Sequence, residues 1–335
     1  MLDYHLLLRR VPEGTPYSQA LVQVDVGKET PIKSYSDREG KVDLRLPLGK
    51  DLEARGEGTD PVQLTGVAMF DVRRDLPCSV CMPLVPMHTN GEVRIVLTWG
   101  QFPDDLILKV KTPEGVIQTP AQRLAADPDD QLTGKEKLPN AEFEIRPEEG
   151  GYGPISVLLR TLLPGRYHVY AKCSPYKLAD KLIGWSDSNA QIYMYGVEQE
   201  QLACTHSGRF KCKKEGEEAE NKKFWNVCFF EVSESGQLTI TEEFNEYLDI
   251  EPGFRQFNIT CKDMQGKPVA NAAITCTPES AAYQDMGSLS AVTDDNGIVQ
   301  LNLPLGEYTA QVRRVESSSY ERCTCQHVTG LLLKP

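Results

Sequence analysis

The sequence lacks the features that mark exported and membrane-spanning chains. Its N-terminus, MLDYHLLLRRVPEG, has no basic start, no long apolar stretch and no small-residue cleavage site, and Leu6–Leu8 is too short for an apolar core. No run approaches the ~20 apolar residues that a membrane-spanning helix needs. These absences predict a cytoplasmic location, or an extracellular one if the chain is the mature form of a processed precursor.

Basic residues are scarce relative to acidic ones. Lys and Arg total 36 against 48 Asp and Glu, which gives a formal net charge of -12 and a pI near 5.0. This balance argues against nucleic-acid binding, because Lys and Arg are needed to neutralise phosphates. It argues equally against binding to an anionic membrane surface. The expected partners are proteins with neutral or basic surfaces.

Helical periodicity is nearly absent, and only Ala179–Gly184 has a composition suited to one helical turn. Most of the chain alternates apolar and polar residues between turns rich in Gly and Pro, which is typical of strands. At 335 residues the chain is also long for a single hydrophobic core. We therefore predict an all-β protein with more than one domain.

Motifs that build active sites are missing as well. None of the five histidines lies in a G-x-S-x-G or H-E-x-x-H arrangement, and no glycine-rich phosphate loop precedes a helix. His168 is predicted on a strand surface, and Asp104-Asp105 is predicted to cap a turn. Asp294–Gly297 indicates a turn rather than a calcium loop, because Leu305 stands at the twelfth position, where a bidentate carboxylate is required. We expect neither enzymatic activity nor a cofactor.

The stretch Val93–Gly115, VRIVLTWGQFPDDLILKVKTPEG, organises the middle of the chain. It begins with a β-branched and apolar run, is broken at Trp99-Gly100 and turns at a polar corner, QFPDD. A second alternating run then ends in a Pro-Glu-Gly turn. This pattern predicts two strands that pair with each other and share one buried face.

The same stretch resembles the LTWG-type β-sandwich domain, whose signature is L-T-W-G followed by P-x-D-L-D-x-H-L and a P-x-G turn. Leu97–Gly100 and Asp105-Leu106 match, whereas Ile107 and Lys109 depart from it. Matches downstream extend the resemblance to roughly residues 63–250, at Gly151–Pro154, Leu163–Gly165, Tyr167, Phe224–Val227 and Phe230. The resemblance implies a sandwich in which Trp99 and Trp225 anchor the core.

Within this middle region the sequence predicts several further features. Residues 62–72 supply its first strand, and residues 75–92, DLPCSVCMPLVPMHTNGE, form a Pro-rich loop. Residues 119–140 and 211–223 form long insertion loops, the second of mixed charge.

A repeat links the two ends of the chain. SYSDREGKVDLRLPLGKDL and AVTDDNGIVQLNLPLGEYTAQV align without a gap, so that Asp37 falls on Asp294 and Gly40 on Gly297. The D-x-x-G segment predicts a tight turn, and the alternating residues after it predict a strand. A repeat this close indicates that one structural unit occurs at both ends.

The repeated unit resembles the carboxypeptidase-regulatory or transthyretin-like β-sandwich, which has the pattern D-x-x-G-x-V-x-L-x-L-P-x-G-x-Y. The C-terminal copy matches better, because Lys50-Asp51 replaces the expected acidic-Tyr pair in the N-terminal copy. The two resemblances together predict three tandem β-sandwich domains: transthyretin-like at 1–58, LTWG-like at 62–250 and transthyretin-like at 254–335.

The ten cysteines are scattered rather than spaced as a framework. Cys78-x-x-Cys81 has zinc spacing, and Cys323, Cys325 and His327 could supply further ligands. Unliganded thiols are favoured, because C-x-C-x-H is not a usual second half of a zinc site; a metal site and a disulfide remain as alternatives. By strand parity, Cys261 and Cys276 are expected to point into the C-terminal core.

Aromatic residues offer one candidate ligand surface. Trp185 falls in a polar segment, and Tyr193 and Tyr195 share one face of a predicted strand. If exposed in a row, these three could form a platform of the kind that carbohydrate-binding sandwiches use.

Taken together, these features predict a non-catalytic structural or adaptor subunit of a larger protein assembly, of the cytoskeleton-associated kind. Its partners would be other proteins, bound through sheet edges and loops. The alternative is a module that binds carbohydrate or another small ligand through exposed aromatics.

The sulfur chemistry gives a first prediction. Titration of the denatured, unreduced protein should find nearly all ten thiols free, and metal analysis should find no stoichiometric zinc, because the chain lacks an export signal. Two or more disulfides in protein from its native source would contradict this and would indicate an exported chain.

Overall fold

The structure is a computed structural model, and it confirms an all-β protein: the residues that it describes form 26 strands and one helical turn of four residues. It describes residues 1–11, 13–27, 30–58, 64–72, 79–86, 91–100, 102–103, 106–118, 137–143, 153–173, 176–178, 181–198, 201–211, 222–263, 265–279, 288–304, 306–314 and 326–333. Most of the predicted insertion loops at 119–140 and 211–223, together with Asp104-Asp105, lie outside the described residues.

The N-terminal part forms one seven-stranded sheet. Its strands are β1 Leu2–Arg10, β2 Leu21–Asp25, β3 Ile32–Tyr35, β4 Lys41–Leu46, β5 Gly49–Gly58, β6 Leu64–Val72 and β7 Ser79–Pro86. Their order is β3-β2-β5-β6-β7-β1-β4, and β7 runs parallel to β1 while the other neighbours are antiparallel. The sheet closes around a core in which Tyr4 stacks on Phe70 at 4.7 Å between ring centroids.

Two predictions about residues 62–92 are corrected by this sheet. Leu64–Val72 is a strand, as predicted, but it pairs with β5 of the N-terminal sheet rather than opening the middle region. Ser79–Pro86, predicted as a loop because of its prolines, is the strand β7. The reason is that β7 is buried on both faces: Val80, Met82 and Leu84 point into the N-terminal core, and Val85 on the other face is buried as well.

The middle of the chain forms two sheets. Its elements are β8 Val93–Thr98, β9 Leu106–Thr112, β10 Gly115–Gln118, β11 Lys137–Leu138, β12 Ala141–Phe143, β13 Ile155–Leu159, β14 Gly165–Cys173, β15 Tyr176–Leu178, β16 Lys181–Ile183, α1 Trp185–Ser188, β17 Gln191–Glu198, β18 Gln201–Lys211, β19 Phe224–Val232 and β20 Leu238–Leu248. One sheet has the order β10-β9-β14-β19-β20 and the other β11-β12-β13-β8-β17-β18. Their inner faces share one large core that contains Trp99 and Trp225, so both residues are core anchors as expected.

The predicted pairing within Val93–Gly115 is wrong. β8 pairs with β13 and β17, whereas β9 pairs with β10 and β14. The chain crosses from one sheet to the other at the corner, where the Trp99 indole N–H donates to the carbonyl oxygen of Pro103 at 2.9 Å. The two runs therefore face each other across the core instead of lying side by side.

The predicted helical turn lies a few residues further along the chain. Within Ala179–Gly184, Lys181–Ile183 forms the strand β16, which pairs with β15. The single turn of helix begins at Trp185 and ends at Ser188.

The described residues of the C-terminal part form six strands in two sheets. They are β21 Phe254–Thr260, β22 Ala272–Pro278, β23 Leu289–Val292, β24 Ile298–Pro304, β25 Gly306–Arg314 and β26 Gln326–Leu333. β21 pairs with β24, and the second sheet has the order β23-β22-β25-β26. Cys276 lies in the core between them and Cys261 packs against it, as strand parity predicted.

The structure confirms that the repeated sequence forms the same unit at both ends. Asp37 Oδ1 accepts the backbone N–H groups of residues 39 and 41 at 2.9 and 2.8 Å, and Asp294 Oδ1 accepts those of residues 296 and 298 at the same distances. Both segments are therefore turns. Gly40 and Gly297 close them with φ of 71° and 69°.

The pairing around these turns is also shared. β1 pairs with β4 as β21 pairs with β24, and β2 lies between β3 and β5 as β22 lies between β23 and β25. β6 pairs with β5 in the first copy, as β26 pairs with β25 in the second. The C-terminal copy also has a tyrosine corner, in which the Tyr308 hydroxyl donates to the carbonyl of Pro304 at 2.7 Å.

The chain divides into two compact units, one ending at Tyr247 and the other beginning at Leu248. The N-terminal and middle sheets belong to the first unit, and the C-terminal copy belongs to the second. The three-domain count stays a prediction.

The shared turn yields a stability prediction. A Cβ on Gly297 would lie 2.6 Å from the carbonyl oxygen of Cys261, whereas a Cβ on Gly266, which also has positive φ, would meet nothing within 4 Å. Gly297→Ala should lower the free energy of unfolding of the second unit by about 3 kcal/mol, through strain plus a backbone clash. Gly266→Ala should cost only about 1 kcal/mol, from strain alone. Denaturant unfolding of the two variants measures the difference, and equal losses would contradict the close approach.

Candidate interaction surface

The three aromatics predicted as a ligand platform are buried. Trp185 is 1% exposed, and Tyr193 and Tyr195 are each 0% exposed. Trp185 opens the helical turn α1 and packs its ring edge-on against Trp225 at 6.0 Å. The prediction of an exposed aromatic row is therefore wrong, because these side chains present no surface to a ligand.

Tyr193 and Tyr195 instead join two sheets of the first unit. Their rings lie 6.1 Å apart and cluster with Val96 of β8 and with Val11 and Val85 of the N-terminal part. The outer face of β17 is thus covered as well as its inner face. Sequence reasoning missed this, because alternation along one strand does not show that a second sheet packs on its polar side.

A hydrogen-bonded chain follows the same contact. The Tyr193 hydroxyl donates to Gln191 Oε1 at 2.5 Å, and Gln191 Nε2 donates to the carbonyl oxygen of Met69 at 2.5 Å. Because Met69 belongs to β6, these hydrogen bonds connect the six-stranded sheet to the N-terminal sheet.

In the part of the chain that the structure describes, the candidate metal ligands do not lie together. Cys78, Cys323 and Cys325 lie outside them, and His327 lies opposite Gln311 in β26. Cys81 is fully buried in β7, and this burial raises the pKa of its thiol to about 12. A raised pKa opposes the thiolate form that binds zinc. Among the residues that the structure describes, no group of three or more His, Cys, Asp or Glu side chains could hold a metal ion.

His168, predicted on the surface, is buried at 4% exposure. Its ring lies 4.1 Å from the ring of Phe229, and its Nε2 lies 2.7 Å from Asn226 Oδ1. Asn226 Nδ2 donates to Glu246 Oε1 at 2.8 Å, which leaves Asn226 Oδ1 as an acceptor. The proton of neutral His168 therefore lies on Nε2. Burial lowers the pKa of His168 to about 4, although the bond to Asn226 opposes the shift.

The surrounding face of the five-stranded sheet is polar yet buried. Tyr170 and Lys172 extend along β14 beside His168, and Lys109 of β9 lies opposite Tyr170 with its ammonium 5.9 Å from the Phe224 ring centroid. Lys109 is one of the two departures from the LTWG signature. Polar residues at alternate strand positions ordinarily indicate an exposed face, so the sequence held no signal for this burial.

The two copies of the repeated unit differ at the edge of their first strand. In the N-terminal copy β1 lies between β4 and β7. In the C-terminal copy, β21 pairs with β24, and no other strand in the described part of the chain lies beside it. One copy therefore covers this edge with its own strand, whereas no described strand covers it in the other copy; we call it the open edge of β21.

The core-facing side chains reflect this difference. Register places Tyr4, Leu6 and Leu8 of the first copy at the positions of Phe257, Ile259 and Cys261 in the second. The first three are buried, whereas the last three are only partly buried. Among the described residues, β21 therefore leaves backbone groups without a neighbouring strand and apolar side chains only partly buried.

The backbone groups at this edge can be assigned. The Cys261 N–H donates to the carbonyl oxygen of Gly297 at 2.7 Å, so Cys261 and every second residue before it point toward β24. Asn258 and Thr260 lie between them and direct their N–H and C=O groups to the open side. No strand among the described residues pairs with these groups, which are the donors and acceptors that an edge strand presents.

Comparison with known proteins adds little. No known family model matches the chain, and no curated protein does. A protein of unknown function, SAV2460, aligns at 15% identity and a TM-score of 0.29, covering 49% of this chain and 94% of that one. BcpA, the major pilin subunit of Bacillus cereus, aligns at 10% identity and a TM-score of 0.20, covering 99% of this chain and 93% of that one. A streptococcal ancillary pilin aligns at 10% identity and a TM-score of 0.17, covering 98% of this chain and 95% of that one. Scores of this size support no inference about function.

The buried histidine gives a prediction on pH dependence. An unfolded histidine takes up a proton near pH 6.5, whereas folded His168 does so only near pH 4. Between these values the unfolded chain binds more protons, so the free energy of unfolding should fall by about 3 kcal/mol as the pH drops from 6.5 to 4. His168→Gln keeps an N–H donor for Asn226 and should remove this part of the decline. Urea unfolding of both proteins across this pH range measures it, and parallel curves would show that His168 is not buried as a neutral group.

Proposed function

We propose that the chain is a non-catalytic β-sandwich subunit that binds protein partners in a larger assembly through its sheet edges. The observation that carries the proposal is the open edge of β21, which no described strand covers, in a unit whose other copy covers the same edge with β7. An edge strand presents a row of backbone donors and acceptors that can pair with another chain.

The composition of β21 supports this role. Soluble proteins usually protect edge strands with Lys, Pro, inward-pointing charges or bulges. The sequence FRQFNIT contains no Pro and no Lys, and its single charged residue is Arg255. Its pairing with β24 also runs from Phe254 to Thr260 without a register shift. Such an edge is flat enough to accept a further strand.

The charge balance limits the kind of partner. A net charge of -12 favours partners with neutral or basic surfaces and makes their association weaken as salt is added. Among the described residues, no helix is long and apolar enough to cross a membrane. The cytoplasmic and cytoskeletal locations stay predictions from the sequence.

The ligand-binding alternative has lost its support. It depended on exposed Trp185, Tyr193 and Tyr195, and all three are buried. Burial raises the pKa of both Cys81 and Cys228 above that of an ordinary thiol, which disfavours the nucleophilic thiolate form of these two residues. The adaptor role is therefore better supported than the ligand-binding role.

The test is whether the native protein belongs to a complex. The full chain, tagged and isolated from its source, should sediment well above the 37.4 kDa of a monomer. Deleting Phe254–Pro335 should reduce the fraction of the protein that sediments with the complex at least tenfold, because the open edge is lost.

The deletion has an internal control. The three tryptophans, Trp99, Trp185 and Trp225, all lie in the core of the first unit, so their fluorescence should not change if that unit stays folded. A free monomer whose tryptophan fluorescence responds to a panel of glycans would overturn the proposal.

A further inference from the structure

We infer that the open edge of β21 binds an extended segment of a partner protein, added as a strand parallel to β21 and apolar at every second position. This inference rests on the proposed function and specifies the partner of the same site. It is carried by the first copy of the unit, which shows how the same edge is filled.

The N-terminal copy supplies the register. β7 runs parallel to β1, with Ser79 opposite His5 and Cys81 opposite Leu7. His5 and Leu7 correspond to Asn258 and Thr260, since Leu8 and Cys261 donate equivalent hydrogen bonds to Gly40 and Gly297. An added strand should therefore pair with the outward N–H and C=O groups of Asn258 and Thr260.

The same copy indicates the side chains that the partner needs. Val80, Met82 and Leu84 of β7 point into the core that Tyr4 and Leu6 also line. In the second copy the equivalent positions on β21, Phe257 and Ile259, are only partly buried. Apolar residues at alternate positions of the incoming segment would complete their burial, at about 25 cal/mol for each Å² removed from water.

One difference between the copies sets a size limit. A Cβ on Gly56 would lie 2.7 Å from Met82 Sδ, so glycine makes the room that Met82 occupies. The pairing of β2 with β5 and of β22 with β25 places Val312 at the position of Gly56. The partner therefore needs a side chain smaller than Met where β7 has Met82.

A second difference limits the length of contact. A Cβ on Gly66 would lie 2.1 Å from the carbonyl oxygen of Pro83, so glycine lets β7 approach β6 closely. Gln326 opens β26 at the corresponding position. The added strand should thus pair along β21 without approaching β26 as closely as β7 approaches β6.

The occupant is a different protein rather than a second copy of this chain. The segment of a second copy that best fits the edge is its own β7, which is already held between β1 and β6. Releasing it would open the N-terminal core around Val80 and Leu84.

The inference can be tested on the full chain with a donor strand supplied at its end. A linker copied from Arg73–Cys78, followed by a copy of Ser79–Pro86 carrying Ala in place of Met82, is appended after Pro335. Intramolecular attachment gives the strand a high effective concentration. Hydrogen exchange of the Asn258 and Thr260 amides should slow at least tenfold. Two control fusions accompany it. The fusion that retains Met82 should slow the exchange of these amides less, and the fusion with Asp in place of Val80 and Leu84 should not slow it. Unchanged exchange with the first fusion would overturn the inference.

A matched pair of variants tests the same edge in the native complex. Asn258→Pro removes one outward N–H without touching the bonds to β24, whereas Asn258→Ala keeps it. Incorporation should fall at least fivefold for the proline variant and stay unchanged for the alanine variant. Equal incorporation would overturn the inference while leaving the proposed function standing, and a full chain that joins no complex would overturn the proposed function itself. Association of the chain with itself alone would replace the partner with a second copy and would also count against the inference.

Discussion

The parallel pairing of β7 with β1 is the contact on which the organisation of the chain depends. It supplies partners for the outward backbone groups of β1 and covers the apolar residues behind them. It also links β1 to β6, so that the N-terminal strands close into one sheet. The C-terminal copy has the same turn and the same ladder between its first and fourth strands. Without a described counterpart of β7, it presents the same strand with its edge uncovered.

Much of this architecture could be predicted from the sequence. The alignment of Asp37 with Asp294 and of Gly40 with Gly297 identified one unit at both ends, because a turn that needs positive φ and a side-chain acceptor restricts the residues that can form it. Trp99 was correctly placed in the core. Strand alternation likewise placed Cys276 there.

What could not be predicted depends on contacts between distant strands. Alternation shows which residues of a strand are polar, but not whether another sheet covers the polar face, and for that reason Tyr193 and His168 were misplaced. The same limitation hid the crossing of the chain between β8 and β9. Prolines at 83 and 86 suggested a loop, although a strand accepts proline where no neighbour needs its N–H. The open edge became visible only when both copies could be compared strand by strand.

The most direct test of this account is a comparison within one molecule. His5 and Leu7 direct their N–H groups toward β7, and Asn258 and Thr260 hold the equivalent positions in the second copy. Residue-resolved hydrogen exchange on the isolated full-length protein can follow all four amides in one experiment. The account predicts that His5 and Leu7 are protected by several orders of magnitude while Asn258 and Thr260 exchange at rates close to those of exposed edge strands. Equal protection at the two pairs would show that the edge of β21 is already filled, and would contradict the central claim.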